Sequence, residues 1–296
     1  MGIALALLAM VAFATNILIT RYAVARLAVE GGFFVVLAVN VAFAGAIYAV
    51  ELAARAAPFG WNWRGAAWFV AGGIVGTFLA RRLLFDTVRL IGPARASVFH
   101  SATPVFSLLA AWALVSERLG VYELLLMGLV WTGLWLTHAP GRSAAAAPAH
   151  APLRKGMLFG VLAIAGFGIG NAIRGVAVRE WSEAALGTLI SSVVALLCQS
   201  LATRDWDRIR VQFHRAQPGG IALYAGCGGV TTLGTIFVTL AMERMEIALA
   251  ALVVHTTPLV IFPFSVFVLK NREGLNLRTA LGALIVLGGI VLLALR

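Results

Sequence analysis

One segment is written twice in this chain, and that duplication constrains the fold more than any other feature. Residues 92–118 read GPARASVFHSATPVFSLLAAWALVSER, and from Glu246 the chain reads EIALAALVVHTTPLVIFPFSVFVLKNRE. Thr103-Pro104 falls on Thr257-Pro258 at a shift of 154 residues. The same shift lays Gly2 on Gly156, Phe13 on Phe167, Gly72 on Gly226, Thr77 on Thr231, Ala96 on Ala250 and Gly128 on Gly282. One constant shift across separate segments marks an internal repeat, and a repeat sets the architecture before any local reading.

Each copy is filled by apolar runs of about 20 residues, the length a helix needs to cross about 30 Å of hydrocarbon. The chain is 61% hydrophobic and only 12% charged, against about 25% charged in soluble domains. Backbone groups in lipid must be satisfied within the segment, so the runs read as helices. The ten-residue alternation of a membrane β-barrel is absent from the sequence. Met1 is followed directly by apolar sequence without a basic leader or a clear cleavage site, which reads as a retained first helix.

The expected fold is therefore an all-α integral membrane protein of ten transmembrane helices, arranged as two inverted five-helix repeats around a central cavity. The first copy places spans at 2–22, 33–52, 66–88, 94–115 and 121–137. The second places them at 156–178, 185–202, 219–242, 248–269 and 277–295. Residues 1–139 form the first repeat, 140–154 a linker rich in alanine and proline, and 155–296 the second repeat. Five is an odd number, so the two copies must face opposite ways across the bilayer. In such inverted repeats the substrate site lies near the midplane, at the repeat interface.

Ten spans with a Thr-Pro in the fourth of each half resemble the EamA family of the drug/metabolite transporter superfamily. The resemblance is carried by AGGIVGTFLARRLLFDTVRLIGPARAS, ATPVFSLLAAWALVSERL and GLVWTGLWL in the first half, with ATNILITRY in the first span. KGMLFGVLAIAGFGIGNAIRGVAV and GALIVLGGIVLL carry it in the second. The resemblance implies a basket of helices that moves small metabolites by alternating access. It implies that the first, third and fourth spans of each half line the cavity, and that the fifth and tenth are peripheral. It also implies cytoplasmic termini, whereas the arginine and lysine count of the loops favours termini outside. Glu273 follows Glu117 by 156 residues rather than 154, which marks an insertion at that helix end.

Polar residues inside apolar spans are costly and mark candidate sites. Arg81 and Arg82 lie deep in the third span, with Asp86 one turn on from Arg82. That spacing pairs Arg82 with Asp86 and leaves Arg81 to hold a carboxylate or phosphate; the plainer reading is that both arginines snorkel to headgroups. His100 and His255 stand just before the Thr-Pro pairs, as proton-coupling groups or as hydrogen-bonding residues beside a kink. Pro104 and Pro258 are the expected hinges, and Thr103 takes up freed backbone groups. Asn16, Asn171 and Arg174 contact cargo or bond helix to helix. Thr231 and Thr235 belong to a hydroxyl stripe, either cargo-facing or packing. Phe78, Phe99 and Trp131 are aromatic surfaces for cargo or for lipid.

Absences narrow the class. Of the twelve carboxylates only Asp86 lies well inside a span, so the interior is basic and an anionic or zwitterionic cargo fits better than a lipophilic cation. Cys198 and Cys227 both sit in apolar runs, and no catalytic, metal or cofactor motif is present, so neither a metal nor a cofactor is expected. The net charge of +11 sits at span ends, where it anchors the protein rather than binding nucleic acid. The expectation is a non-enzymatic secondary transporter, an exporter or exchanger of amino acids or related zwitterionic or anionic metabolites. Its expected place is the bacterial inner membrane, as a monomer or weak homodimer in contact with lipid. The alternatives are a membrane channel or scaffold, which would favour like-charged rings, and a membrane-embedded enzyme acting on a lipid-linked substrate.

Overall fold

The structure, a computed structural model, describes residues 1–55, 59–91, 102–117, 120–137, 153–257, 259–261 and 277–294. It is all-helical among the described residues. Helix α1 spans Gly2–Ala23 and α2 spans Val29–Ala54. A third rod combines α3 (Trp63–Gly72), a π-helical segment (Gly73–Leu79) and α4 (Ala80–Ile91). Helices α5 (Thr103–Val115) and α6 (Val121–Thr137) complete the first copy. The second copy contains α7 (Leu153–Glu180), α8 (Ala184–Ala202), the short α9 (Trp206–His214) and α10 (Gly220–Arg244). It ends with α11 (Ile247–Val254) and α12 (Leu277–Ala294).

Six of these rods are long and apolar enough to cross a bilayer: 2–23, 29–54, 63–87, 154–180, 184–202 and 220–244. Their outward faces carry Leu8, Val11, Leu158 and Leu162 in the open, as suits a helix wall against hydrocarbon rather than water. The ten expected spans are thus matched by six on length and composition. The fourth, fifth and ninth are represented among the described residues by shorter apolar helices, at Thr103–Val115, Val121–Thr137 and Ile247–Val254.

Counterpart helices of the two copies run in opposite directions. Gly2 opens α1 against the side chain of Met245. There α7, the counterpart of α1, reaches its end, and Arg179 donates to the carbonyls of Met242 and Met245. Likewise α2 ends at Arg55, which pairs with Glu183 at the start of α8. The third rod begins at Asn62, whose amide donates to the Glu180 carbonyl, on the same face at which α10 ends. Across the molecule α1 packs on α10, as α7 packs on the third rod, and α2 packs on α8.

Close approach between the copies depends on missing side chains. Gly76 in the π-helical segment and Gly170 in α7 meet backbone to backbone, and a Cβ on Gly170 would collide with the Gly76 Cα. This lets two rods cross more tightly than side chains permit, the small-residue contact typical of helices in lipid. The Ser191 hydroxyl of α8 donates to the Phe69 carbonyl at 2.8 Å, just before the π turn. A π turn carries an extra residue, so the face presented by the helix changes across it. Nothing in the apolar periodicity of the third span announces that change.

Three details differ from expectation. Pro104 lies in the first turn of α5, where its missing N–H costs no helical hydrogen bond; here it starts a helix rather than bending one. In the ninth span the helix ends at Val254 and a turn covers His255–Thr257, as the residue before a proline avoids helical backbone. Between the seventh and eighth expected spans, where no helix is expected, Trp206–His214 folds into α9. The Asp205 side chain caps it by accepting from the Arg208 N–H at 2.9 Å. Phe99, His100 and Pro258 lie outside the described residues.

Candidate functional site

A cavity of about 1280 Å³ lies between the copies. Its walls come from α1, α2, the third rod, α7, α8, α10 and the 251–261 stretch. It opens where α1 ends, α2 begins and α8 runs into α9, at Val24, Val29, Glu30, Thr203, Arg204 and Arg208. At the opposite face none of Gly2, Arg55, Glu117, Arg179 and Glu183 lines the cavity, and contacts between helix ends shut that face among the described residues.

Of the residues named from sequence, Asn16, Arg81, Arg82, Asn171, Arg174, Thr231, Thr235 and His255 line this cavity. Phe78 is not in its wall; it packs against the buried group of Phe33, Leu37 and Ala195. Thr103 is fully buried and also lies off the wall. Trp131 is exposed on α6, away from the cavity.

The two guanidinium groups set the electrostatics. Arg81 lies beyond the π turn with its Cζ 5.7 Å from the centre of the Phe33 ring, a cation–π contact from α2. Arg174 donates to Asn171 Oδ1 at 3.3 Å, and Asn171 Nδ2 donates to Ser107 Oγ on α5 at 3.3 Å. This relay holds Arg174 toward the cavity from two helices at once. Arg81 and Arg174 line the same cavity, one from each copy. Among the described residues no carboxylate pairs with either. The carboxylates of the wall are engaged elsewhere. Glu30 lies 3.5 Å from Arg208 and accepts from Gln212, Asp205 caps α9, and Asp86 has a partner of its own.

Hydroxyls and amides fill the remaining polar surface. In α10, Thr232, Thr235 and Thr239 each donate to the carbonyl one turn back, at 2.7–3.0 Å. Thr231 does not, and its buried hydroxyl has no partner among the described residues. A buried orphan hydroxyl is costly unless something answers it. His255 Nδ1 lies 2.7 Å from the Ala251 carbonyl in the last turn of α11. Sequence reading missed Asn40, Ser191, Ser192 and Gln199, which also line the wall. Asn40 is 4% exposed and in hydrogen-bond contact with Thr232 at 3.2 Å. The available signal was the same as for Asn171, a polar residue in mid-span.

The shut face is a network of charged and aromatic contacts. Glu117, at the end of α5, accepts from the N–H groups of Ile247 and Ala248 at 3.0 and 3.3 Å. It thus sits on the N-terminus of α11, where a negative charge is favoured. The same carboxylate lies 3.1 Å from Arg179 of α7, and its side chain is 7% exposed. Arg55 and Glu183 close a second contact at 2.6 Å. Hydrogen bonding to Glu183 raises the Arg55 pKa further above its ordinary value. The Trp181 indole donates to the Gly60 carbonyl at 3.2 Å and meets Trp61 edge-on at 5.1 Å. Both Glu117 and Arg179 escaped the sequence reading as site residues, because charges at span ends ordinarily read as anchors.

The sequence profile described as the EamA-like transporter family matches residues 1–138 and 154–295. None of the curated proteins matches the chain. A solved crystal structure, titled only as the crystal structure of a protein, matches with a TM-score of 0.73 at 19% identity. The match covers 99% of this chain and 96% of that one. At that identity the likeness speaks for the fold alone.

Proposed function

The chain belongs to the EamA-like transporter family of the drug/metabolite transporter superfamily, and from that premise we propose that it is a secondary transporter of small anionic or zwitterionic metabolites. The reading takes it as ten spans in two inverted halves, in a bacterial inner membrane, working by alternating access. One observation carries the cargo assignment. Arg81 and Arg174 both line a large cavity, and among the described residues neither forms an ion pair with a carboxylate. Two like charges on one cavity wall are held at a cost, and a bound carboxylate or phosphate would relieve it by charge-assisted, bidentate hydrogen bonds. Asn16, Asn171, Thr231 and Thr235 offer neutral partners for the rest of a polar molecule. Amino acids and organic or phosphorylated acids fit this chemistry.

Alternating access requires that the shut face open when the open face closes. The Glu117–Arg179 and Arg55–Glu183 contacts are the bonds to be broken. The test is uptake into liposomes of a panel of labelled amino acids, dicarboxylates and sugar phosphates. The wild type is expected to move at least one anionic member, and Arg81→Ala and Arg174→Ala each to reduce that flux about tenfold or more, the scale of losing a hydrogen bond to a charged group. Equal flux in both variants would contradict the assignment.

A further inference from the structure

We propose that the surface groove beside the cavity mouth binds the phosphate of an anionic glycerophospholipid, at a site separate from the cargo cavity. The groove, about 390 Å³, lies between the α1–α2 turn and α9. Its wall includes Arg26, Arg208, Gln212, Arg215 and Gln217.

It is a built feature. The Gln217 N–H donates to the Arg26 carbonyl at 2.8 Å. Gln212 Oε1 accepts from the Gly31 N–H at 2.9 Å, and its Nε2 donates to Glu30 at 3.2 Å. The chain enters α10 through Gly219, whose φ of +79° suits glycine, and a Cβ on Gly220 would press on the Arg26 backbone. Of the cations around it, Arg208 is paired with Glu30 and Arg210 with Asp207, both at 3.5 Å. Arg26 and Arg215 have no acidic partner among the described residues. The groove therefore presents two uncompensated guanidinium groups to an exposed surface.

Placement selects lipid over a soluble anion. Helix α9 buries Ile209 and leaves Trp206 and Val211 about half exposed; Trp206 packs on Phe34 of α2 at 5.3 Å. Tyr22, at the end of α1, is exposed on the same side of the molecule. A short amphipathic helix with outward Trp, flanked by arginines and abutting membrane-spanning helices, lies at headgroup depth. Basic pockets in that position hold anionic headgroups. Arg208 and Val24 line both this groove and the main cavity. A headgroup here would tie the α1–α2 turn to α9 at the edge of the mouth.

The test compares the wild type with the Arg26→Gln/Arg215→Gln variant, purified in neutral detergent and titrated with phosphatidylglycerol, phosphatidylcholine and soluble glycerol 3-phosphate. Thermal shift and native mass spectrometry are the readouts. Phosphatidylglycerol is expected to stabilise and remain bound to the wild type. The variant should bind it about thirtyfold more weakly, at about 1 kcal/mol for each arginine near the surface. Arg26→Lys/Arg215→Lys should keep most of the binding. Equal response to phosphatidylcholine in the wild type, or equal phosphatidylglycerol binding in the glutamine variant, would overturn the proposal. So would a response to glycerol 3-phosphate that matches phosphatidylglycerol, which would make the site one for a soluble anion.

Discussion

Arg174 shows how a residue that is expensive in lipid is kept in place. It is held by Asn171, which is held in turn by Ser107 on a neighbouring helix. The Asn171→Ala variant should therefore fold, and should weaken cargo binding less than Arg174→Ala while acting through the same guanidinium. Isothermal titration of an identified cargo against both variants checks the order. Thr231 offers a second residue-scale test. Its hydroxyl is buried without a described partner, so Thr231→Val should leave the melting temperature unchanged or raise it, because removing an unsatisfied polar group is neutral or stabilising. A loss of more than about 1 kcal/mol would mean the hydroxyl is satisfied in the apo protein. These residues also mark what sequence could reach. Arg81, Arg174 and Thr231 were legible as polar breaks in apolar spans. Phe78 and Thr103 were equally visible but point elsewhere, since a span fixes depth in the membrane and leaves the facing direction to packing.

At the scale of elements, the shut face depends on the end of one helix meeting the start of another. Glu117 closes α5, caps α11 and pairs with Arg179 of α7. Glu117→Ala removes the ion-pair partner of Arg179, which keeps its bonds to the Met242 and Met245 carbonyls, and leaves two helix N–H groups unanswered; it should cost about 1–3 kcal/mol, read as a lower melting temperature. It should also raise thiol labelling at cysteines placed near Gly60 and Met245. The crossing of the π-helical segment on α7 is less forgiving. Gly170→Leu forces a side chain into the Gly76 backbone and should cost about 3 kcal/mol or more, seen as loss of folded protein in detergent. Helix positions were legible because hydrophobic length is a direct read of span. The π turn, the start of α5 at Thr103 and the fold of α9 were not. Each depends on a local backbone preference that a run of apolar residues hides, or, for α9, on a cap at Asp205 inside a segment that looks like a charged loop.

For the whole molecule, the repeat was the informative signal. Its 154-residue shift named counterparts that the structure places in opposite directions, α1 against α7 and α2 against α8. The cavity follows from that arrangement, since two halves closing on each other leave their polar positions facing inward. The membership of the chain in a transporter family and the cavity lined by Arg81 and Arg174 support the proposal of a carrier that exposes these residues to each face in turn. The most direct measurement is labelling of Thr235→Cys, in a Cys198→Ser/Cys227→Ser background, by an impermeant thiol reagent applied from either side of sealed, oriented vesicles. The account expects labelling from one face alone at rest, and a shift toward the other face when Glu117→Gln loosens the shut side. Labelling from both faces at once in the resting protein, or from the same single face in both proteins, would contradict it.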